Sequence, residues 1–446
     1  MKLWEKGYDL DKKTEEFTIG NDRLIDLNLA KYDIIGSLAH IKMLLRIHIL
    51  NNDEYHVLRK KLIQIYNDVN SPNSSFQIET EDIHSQVELI LTNELGDLGK
   101  KIHTARSRND QVLLDIYLFS RDKIKQIVTA SENLFNLLIQ LSNVHKDVLM
   151  PGYTHLQVAM PSSFGLWFGS YAECLVDDMS VLHLAYKMVN QNPLGSAAGY
   201  GSSIPIDRQL TTELLGFDDL IYNSAKAQLG RSKIEETIAF SLSSVVSTLA
   251  KFSSDVCLFT SQNFGFVSFP DEFTTGSSIM PHKKNPDIFE LVRAKSNKIK
   301  TLQFQISQLT GNLTSGYFRD YQIVKGLIIP AFDEVLQLID IIHHAIKNIK
   351  INKEILNDDK YKYLYSVENV NQLVQQGVPF RDAYKIIAKQ IDDNVFKPLK
   401  NNQHTHIGSV GNLCNNQIVN KMKSVTKQFD FEKIEEKYNN LLDSNL

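Results

Sequence analysis

The sequence predicts a mainly α-helical protein, built as an elongated bundle of long helices flanked by two smaller helical domains. The stretch Ser107–Leu149 contains neither glycine nor proline, and its apolar residues recur at steps of three and four. A helix of that length would extend about 60 Å, far beyond the usual globular length. Similar patterns cover residues 162–192, 231–263 and 286–310, whereas no run alternates clearly with the period of a strand. Several such helices side by side form an elongated bundle.

Composition is typical of a soluble protein. A chain of 446 residues is long enough for two or three domains with a sizeable core. Acidic and basic residues are interspersed and the net charge is only −4, so we expect no nucleic-acid partner and no binding to a membrane. The three cysteines, Cys174, Cys257 and Cys414, are far apart, which argues against a disulfide framework or a zinc site.

The same features predict a cytoplasmic protein. The segment Met1–Gly7 lacks the apolar stretch of a signal peptide. No uncharged apolar run approaches the ~18 residues of a membrane span. The region Leu327–Ile342 comes closest but is interrupted by acidic residues.

Breaks in the pattern suggest three domains. Gly96 and Gly99 end the helical pattern of residues 1–104, which we expect to form a mostly helical N-terminal domain. Residues 105–349 would form the central long-helix bundle and oligomerisation core. Residues 350–446, where charge rises and helices shorten, would form a small helical C-terminal domain.

The long helices carry more apolar surface than one chain can cover. The stretch Ser232–Cys257 is apolar on more than one face. A helix that is apolar on several sides is buried on several sides. We therefore expect subunits to share a core, so the chain is predicted to be a homo-oligomer.

Two histidine-containing segments offer weak metal-site candidates. His84 and Glu88 lie one turn apart on a predicted helix, but no third ligand is evident nearby, so a surface pair is favoured over zinc. His404 and His406 lie in a polar loop and are expected to be solvated.

One loop, residues 274–287, combines features of an anion site. It places hydroxyl groups around Gly276, continues through Lys283 and Lys284, and ends in Asn285-Pro286, which predicts a helix start. Cations and the free N–H groups of a helix start favour a small anion. The simpler alternative is a surface loop with solvated lysines before an ordinary helix.

Three further segments stand at breaks between the long helices. They are H-T-A-R-S-R-N-D-Q at residues 103–111, P-G-Y-T-H-L-Q at residues 151–157 and N-P-L-G-S-A-A-G at residues 192–199. The third is glycine-rich but lacks the Gly-Lys-Ser/Thr of a phosphate-binding loop. Close packing of backbone under a site explains its glycines better.

Together the four segments resemble the argininosuccinate lyases of the fumarase/aspartase superfamily. Residues 276–286 fill every fixed position of the pattern G-S-S-x-M-P-x-K-x-N-P. The other three segments are similar to H-T-G-R-S-R-N-D-Q, G-Y-T-H-L-Q and N-P-L-G-S-x-A. The matched order extends from about residue 22 to residue 330. Fumarases and aspartases lack the R-S-R-N-D-Q run, which selects the argininosuccinate lyase branch.

The chain departs from the family pattern at three points. Ala105 replaces a usual glycine. His282 stands where this branch more often has glutamine and is common in adenylosuccinate lyases. The N-terminal serine that the family uses for substrate has no clear counterpart, which leaves Thr18 and Asp22 as candidates.

The resemblance implies reversible β-elimination of argininosuccinate to arginine and fumarate, as in arginine biosynthesis. Ser277 would remove a proton from the succinyl carbon. Lys283 and Asn285 would stabilise the resulting carbanion, because preorganised cations and donors oppose developing negative charge. His155, oriented by Glu290, would protonate the leaving nitrogen.

The resemblance also implies a homotetramer in which each site draws segments from three subunits. It calls for neither a metal nor an organic cofactor. The alternatives are another lyase of the superfamily, such as adenylosuccinate lyase, or a non-enzymatic, crystallin-like member. For the segment 317–325 the alternative to substrate contacts is an ordinary amphipathic helix face. The substrate-binding residues implied are Ser107, Arg108, Asn109, Thr154, Asn285, Tyr317, Gln322 and Lys325.

Overall fold

The computed structural model describes residues 11–400 and 404–443, and within them the chain is mainly helical, as predicted. The segment Met1–Gly7, on which the signal-peptide prediction rests, lies outside the described residues. The α-helices described in the N-terminal part are α1 (Lys12–Ile19), α2 (Asp22–Asp26), α3 (Ala30–Arg46), α4 (Asn52–Asn70), α5 (Ile83–Leu95) and α6 (Asp97–Lys100).

The middle of the chain supplies the long helices. In chain order these and the shorter helices between them are α7 (Arg108–Val144), α8 (Phe164–Val189), α9 (Arg208–Leu214), α10 (Ser224–Leu229), α11 (Lys233–Phe259), α12 (Asp287–Ile299), α13 (Leu302–Thr310) and α14 (Asp320–Ile346). Four shorter helices follow: α15 (Ser366–Gln375), α16 (Phe380–Asp392), α17 (Asn415–Thr426) and α18 (Phe431–Leu442).

The strands are short and form three two-stranded sheets among the described residues. An antiparallel hairpin joins β1 (Leu149–Thr154) to β2 (Gln157–Ser163). The parallel pair is β3 (Gln191–Asn192) with β4 (Asp219–Leu220), and the last antiparallel pair is β5 (Val267–Ser268) with β6 (Lys350–Ile351).

The long helices pack side by side, and α8 runs in the opposite direction to α7 and α11. Ser142, near the end of α7, donates a hydrogen bond of 2.6 Å to the carbonyl of Gly165 at the start of α8. Trp167, also near the start of α8, donates to Asp255 near the end of α11 at 2.9 Å. Both neighbours therefore run antiparallel to α8.

These contacts define two ends of the bundle. The cleft end contains the starts of α7, α11 and α14, where the Arg231 guanidinium lies over the ring of Tyr321 at 4.6 Å. The hairpin end contains the ends of α7 and α11 and the β1–β2 hairpin. One apolar core extends along the bundle, and α15 and α16 pack around a smaller one of their own. The domain boundaries near residues 104 and 349 stay a prediction.

The prediction of one helix over 286–310 was wrong, because the structure divides it into α12 and α13. At the break, both the amide and the hydroxyl of Thr301 donate to the carbonyl of Lys298, at 3.1 and 2.8 Å. A threonine hydroxyl that bonds a nearby carbonyl competes with the helical pattern. The helix therefore ends in a tight turn, although neither glycine nor proline marks the place.

The helix α11 is long and apolar enough to span a bilayer by length and composition alone. Half of its most apolar stretch is buried within the chain, and the helix packs against α8, α12, α13 and α14. It is therefore a core helix of the bundle.

A buried arginine joins α7 to the C-terminal helix. The Arg121 side chain is almost fully buried, and its guanidinium donates to Asn190, to the carbonyl of Leu215 and to the Tyr438 hydroxyl at 2.8–3.0 Å. It also lies 4.0 Å from the ring centroid of Phe217. Removing partners from a buried charge is costly, so α18 belongs to the folded core.

The segment before α7 holds an alanine in a backbone conformation that favours glycine. Ala105 has φ of 60°, in the left-handed region. Two residues later Ser107 caps α7 in a reciprocal box with Asp110. The left-handed conformation costs a residue with a Cβ about 1–2 kcal/mol. The predicted replacement of a family glycine by Ala105 is thus a substitution at a strained position.

Ala105→Gly is expected to stabilise the protein by about 0.5–1 kcal/mol. The substitution relieves the left-handed strain of the folded state, and this gain exceeds the loss that arises because glycine raises the conformational entropy of the unfolded chain. The thermal unfolding midpoint of the intact protein measures this. The same substitution at Ala130, inside α7, is the control and should destabilise by about 1 kcal/mol. An equal loss of stability in both variants would contradict the strain.

Candidate active site

A polar cleft of about 640 Å³, counted to its open mouth, lies at the cleft end of the bundle. Its walls come from α2, the segment before α5, the first turn of α7 and the segment around the start of α14. Five residues predicted from the sequence line it, namely Arg108, Asn109, Tyr317, Gln322 and Lys325. The cleft therefore gathers residues that are distant in sequence.

The start of α7 positions two of these residues. The Ser107 hydroxyl accepts the amide of Asn109 at 3.3 Å, so in the free chain it is a helix cap. The Arg108 guanidinium pairs with Glu81 and Asp82 and donates to Ser85 at 2.6 Å. The arginine is thus held rigidly by carboxylates before any substrate arrives.

The start of α14 holds the N-terminal segment against the cleft. Lys325 is buried and lies 2.9 Å from Asp22 and 2.5 Å from Asp26. The Gln322 amide donates to the carbonyls of Thr18 and Ile19 at 3.0 and 2.9 Å. Two residues predicted to bind substrate are therefore already bonded to the chain itself.

The same contacts distinguish the two N-terminal candidates. The Thr18 hydroxyl donates to the carbonyl of Thr14 in its own helix at 2.8 Å. Asp22 instead lines the cleft, and burial raises the pKa of its carboxyl to about 6, although Lys325 opposes the shift. Of the two candidates, Asp22 is therefore the one that lies in the cleft.

A histidine lies behind the cleft with two carboxylates. His84 is buried, and its Nδ1 lies 2.7 Å from Asp33 and 3.5 Å from Asp115. The prediction of a surface pair with Glu88 was wrong, because α3 and α7 cover this face of α5; Glu88 instead lies 3.4 Å from His103. Burial alone would lower the pKa of His84, but Asp33 and the other carboxylates outweigh it and raise the pKa to about 9.

The three groups are close enough to hold a divalent ion. However, 2.7 Å between the His84 Nδ1 and Asp33 is a hydrogen-bond distance, and a protonated imidazole there balances the charge of that carboxylate. His84 therefore acts as a buried cation in the wall of the cleft. No regular spacing links Asp33, His84 and Asp115 in the sequence, so pattern analysis had no means of grouping them.

At the hairpin end, His155 occupies the tip of the β1–β2 hairpin. Thr154 pairs with Gln157, which leaves a two-residue turn of His155 and Leu156 with φ of 52° and 56°. Such turns favour asparagine and glycine, and neither residue here relieves the left-handed strain. Thr154 and His155 are both exposed.

The loop around Ser277 is also exposed. Thr275 and Asn285 pair across its base, through amide–carbonyl bonds of 3.3 and 2.8 Å. Within the loop, the Ser277 Oγ accepts the amides of Ile279 and Met280 at 3.3 and 3.1 Å. Ser277 thus receives two backbone N–H dipoles.

The remaining predicted residues follow this loop. Lys283 is exposed and makes no ion pair among the described residues, whereas Lys284 pairs with Asp271. His282, which stands in place of the more usual glutamine, is exposed in the same loop. Glu290 lies in the first turn of α12 and contributes, after burial, to raising the pKa of the Cys257 thiol near the end of α11.

The predicted residues therefore form two groups. Ser107, Arg108, Asn109, Tyr317, Gln322 and Lys325 lie at the cleft end, and His155 and Glu290 lie at the hairpin end. Between them runs α7, whose 37 residues extend about 55 Å. One chain does not bring the two groups together.

Several cleft residues were not predicted from the sequence. Asp26, Glu81, Asp82 and Arg319 line the cleft beside the predicted residues. Asp22 and Asp26 stand four residues apart, one helical turn, which was a usable signal. The presence of Glu81, Asp82 and Arg319 in the cleft depends on how separate segments of the chain pack together.

The chain is similar to known lyases along its whole length. A family model described as Lyase matches residues 11–300. An argininosuccinate lyase from Parabacteroides distasonis is 55% identical over 98% of each chain, and one from Phocaeicola vulgatus is 54% identical over 99% of each. One from Thermotoga neapolitana is 38% identical over 87% of this chain and 98% of its own.

Solved structures share the fold at low sequence identity. A variant of EDDS lyase with bound fumarate has a TM-score of 0.80 at 20% identity, covering 98% of this chain and 96% of its own. A class II fumarase from Schistosoma mansoni has a TM-score of 0.70 at 14% identity, covering 93% and 95%. The full-length similarity and the shared long-helix architecture show that the chain belongs to the argininosuccinate lyase family of the fumarase/aspartase superfamily.

Proposed function

We propose that the chain catalyses the reversible β-elimination of argininosuccinate to arginine and fumarate, through the residues gathered at the two ends of the bundle. The observation that carries this proposal is the 54–55% identity, over nearly the whole chain, to relatives named argininosuccinate lyase. The cleft-end and hairpin-end groups are both intact in the sequence.

In this mechanism Ser277 is the base that removes the proton from the succinyl carbon. A serine hydroxyl is a poor base unless its alkoxide is stabilised. The amides of Ile279 and Met280, which already point at its Oγ, favour the alkoxide. The contacts that make Ser277 a turn residue in the free chain therefore also support a catalytic role.

The proton loss leaves a carbanion conjugated with a carboxylate. Lys283 and the Asn285 side chain would stabilise this charge, and the exposed ammonium of Lys283 is available for it. His155 would then donate a proton to the leaving guanidinium nitrogen, oriented by the Glu290 carboxylate. The exposed hairpin tip allows His155 to reach a substrate held by another subunit.

The cleft would hold the amino-acid end of the substrate. That end carries both an ammonium and a carboxylate, and the cleft offers both charges as pairs, Lys325 with Asp22 and Arg108 with Asp82. The substrate carboxylate can take the place of an aspartate beside a protein cation, and the substrate ammonium can take the place of a protein cation beside an aspartate. A zwitterion therefore enters without leaving a buried charge uncompensated. Asn109, Tyr317 and Gln322 would supply further hydrogen bonds, and Thr154 would do so from the hairpin.

Assembly into a homotetramer with shared sites is part of the proposal. The two groups lie about 55 Å apart along α7 in one chain, so a complete site needs segments from different copies. Large apolar side chains remain exposed on the bundle helices, where a second copy would cover them: Leu184, Phe240, Leu291, Phe304 and Ile323. We further propose a cytoplasmic location.

Purified protein is expected to release fumarate from argininosuccinate but not from adenylosuccinate, measured by ultraviolet absorbance. Ser277→Ala and His155→Ala should each lower kcat at least about a hundredfold, because each removes a proton-transfer group. Ser74→Ala is the matched control, since the Ser74 Oγ also accepts a backbone amide, in an exposed loop of the N-terminal part. Full turnover in Ser277→Ala would refute the assignment of the base.

Mixing two inactive variants is expected to restore activity. Hybrids of His155→Ala and Asn109→Ala contain some sites with both groups intact, about a quarter of the total if copies mix at random. Turnover after joint dissociation and reassembly measures this. Two different substitutions at His155, mixed in the same way, should recover nothing. Hybrids that form but stay inactive would mean that both groups come from one chain.

The decrease of kcat/KM at acidic pH is expected to follow the protonation of the Asp22 carboxylate. With its pKa raised to about 6, Asp22 is charged above that pH and neutral below it. Since the charged form balances Lys325 and a substrate ammonium, kcat/KM should fall as the pH drops below about 6. Asp22→Asn should lose this pH dependence and give a low kcat/KM throughout. Asp53→Asn, at an exposed position of α4, should retain the profile.

A further inference from the structure

The loop between β3 and α9 presents an exposed aromatic side chain that the proposed mechanism does not use. Tyr200 is 77% exposed and stands within the glycine-rich segment that follows Asn192. A large ring exposed to this degree contributes little to the stability of its own chain. Its surroundings indicate a different role.

The backbone on both sides of Tyr200 is fixed. One carboxylate oxygen of Asp110 accepts the amides of Gly195 and Ala197, at 2.9 and 2.8 Å. The amides of Gly199 and Gly201 both donate to a single carbonyl, that of Ser196, at 2.9 and 3.0 Å. The loop is therefore a rigid support that is bonded to the first turn of α7.

On one side, this support touches the wall of the cleft that carries Asn109. A Cβ built on Gly199 would lie 3.2 Å from the Gln228 side chain. The Gln228 amide in turn donates to the carbonyl of Asn109 at 3.2 Å. The residue immediately before Tyr200 thus packs on the group that holds Asn109.

On the other side, the Tyr200 hydroxyl reaches the wall that carries Tyr317. A Cβ built on Gly316 would lie 3.6 Å from the Tyr200 hydroxyl oxygen, and Gly316 has φ of 112°. Gly316 directly precedes Tyr317, which lines the cleft. Tyr200 therefore extends between the segment that holds Asn109 and the segment that carries Tyr317, next to two residues that line the cleft.

We infer that Tyr200 is a further substrate-binding residue, whose ring packs against the guanidinium of the arginine portion at the rim of the cleft. This inference rests on the proposed function. A planar guanidinium stacks well on an aromatic face, and a preorganised ring loses little entropy when it binds. The ring, rather than the hydroxyl, supplies the contact.

The test compares Tyr200→Leu with Tyr200→Phe in the assembled enzyme. Tyr200→Leu is expected to raise KM for argininosuccinate about tenfold, the size of a lost aromatic contact, with kcat within about twofold. Tyr200→Phe keeps the ring and should restore KM to near the wild-type value. All variants should keep the wild-type unfolding midpoint, because the side chain is exposed.

Tyr222→Leu is the matched control, since Tyr222 is 74% exposed, its hydroxyl lies against Asp219 and its loss should not affect KM. Calorimetric titration with L-arginine gives a second readout that needs no turnover. If the wild-type protein cleaved no argininosuccinate, the proposed function would be refuted. Weaker arginine binding by Tyr200→Leu than by the wild type would still support this inference. Wild-type KM and wild-type arginine affinity in Tyr200→Leu would overturn this inference alone.

Discussion

The length of one unbroken helix determines how this protein can form a catalytic site. Arg108 begins α7, and the hairpin that carries His155 follows its end, 37 residues later. A helix is stiff over this distance, so no local motion brings these two residues into contact. Under the proposed mechanism, one chain on its own is therefore incomplete as a catalyst. The apolar surface that remains on the bundle helices supplies a reason for copies to associate.

The cations in and behind the cleft are paired before substrate enters. Lys325, Arg108 and His84 each face carboxylates, so none of these three cations is left without a counter-charge. Unpaired buried charges cost several kcal/mol, and pairing removes most of that cost. The arrangement suits a ligand that carries both signs of charge. It also explains why residues that would bind substrate bond to the N-terminal segment in the free chain.

The sequence predicts the bundle well because its evidence is long and regular. Stretches without glycine or proline, such as 107–149, produce a helical pattern over ten turns, and the structure confirms α7, α8 and α11. Short elements were harder to predict. The hairpin around His155 lacks the asparagine or glycine that usually marks a two-residue turn. The break at Thr301 depends on one hydroxyl bond that no pattern reveals.

For the site, motif resemblance supplied residues that physical patterns alone did not. Ser277 is a half-buried and His155 an exposed loop residue, and nothing in their local sequence separates them from solvated ones. Burial was predicted least well, since His84 lies on a helix whose exposed-looking face is covered by α3 and α7. Which faces meet is decided by packing between segments that are distant in sequence, and a single sequence does not record it.

The buried Arg121 makes the interior of the bundle depend on α18. Its guanidinium donates to Asn190, to the carbonyl of Leu215 and to the Tyr438 hydroxyl, which come from three separate segments. Until α18 packs in place, the cation on α7 lacks one of these acceptors, and a buried charge without its partners is costly. We therefore expect α18 to unfold together with α7 rather than to fray from it.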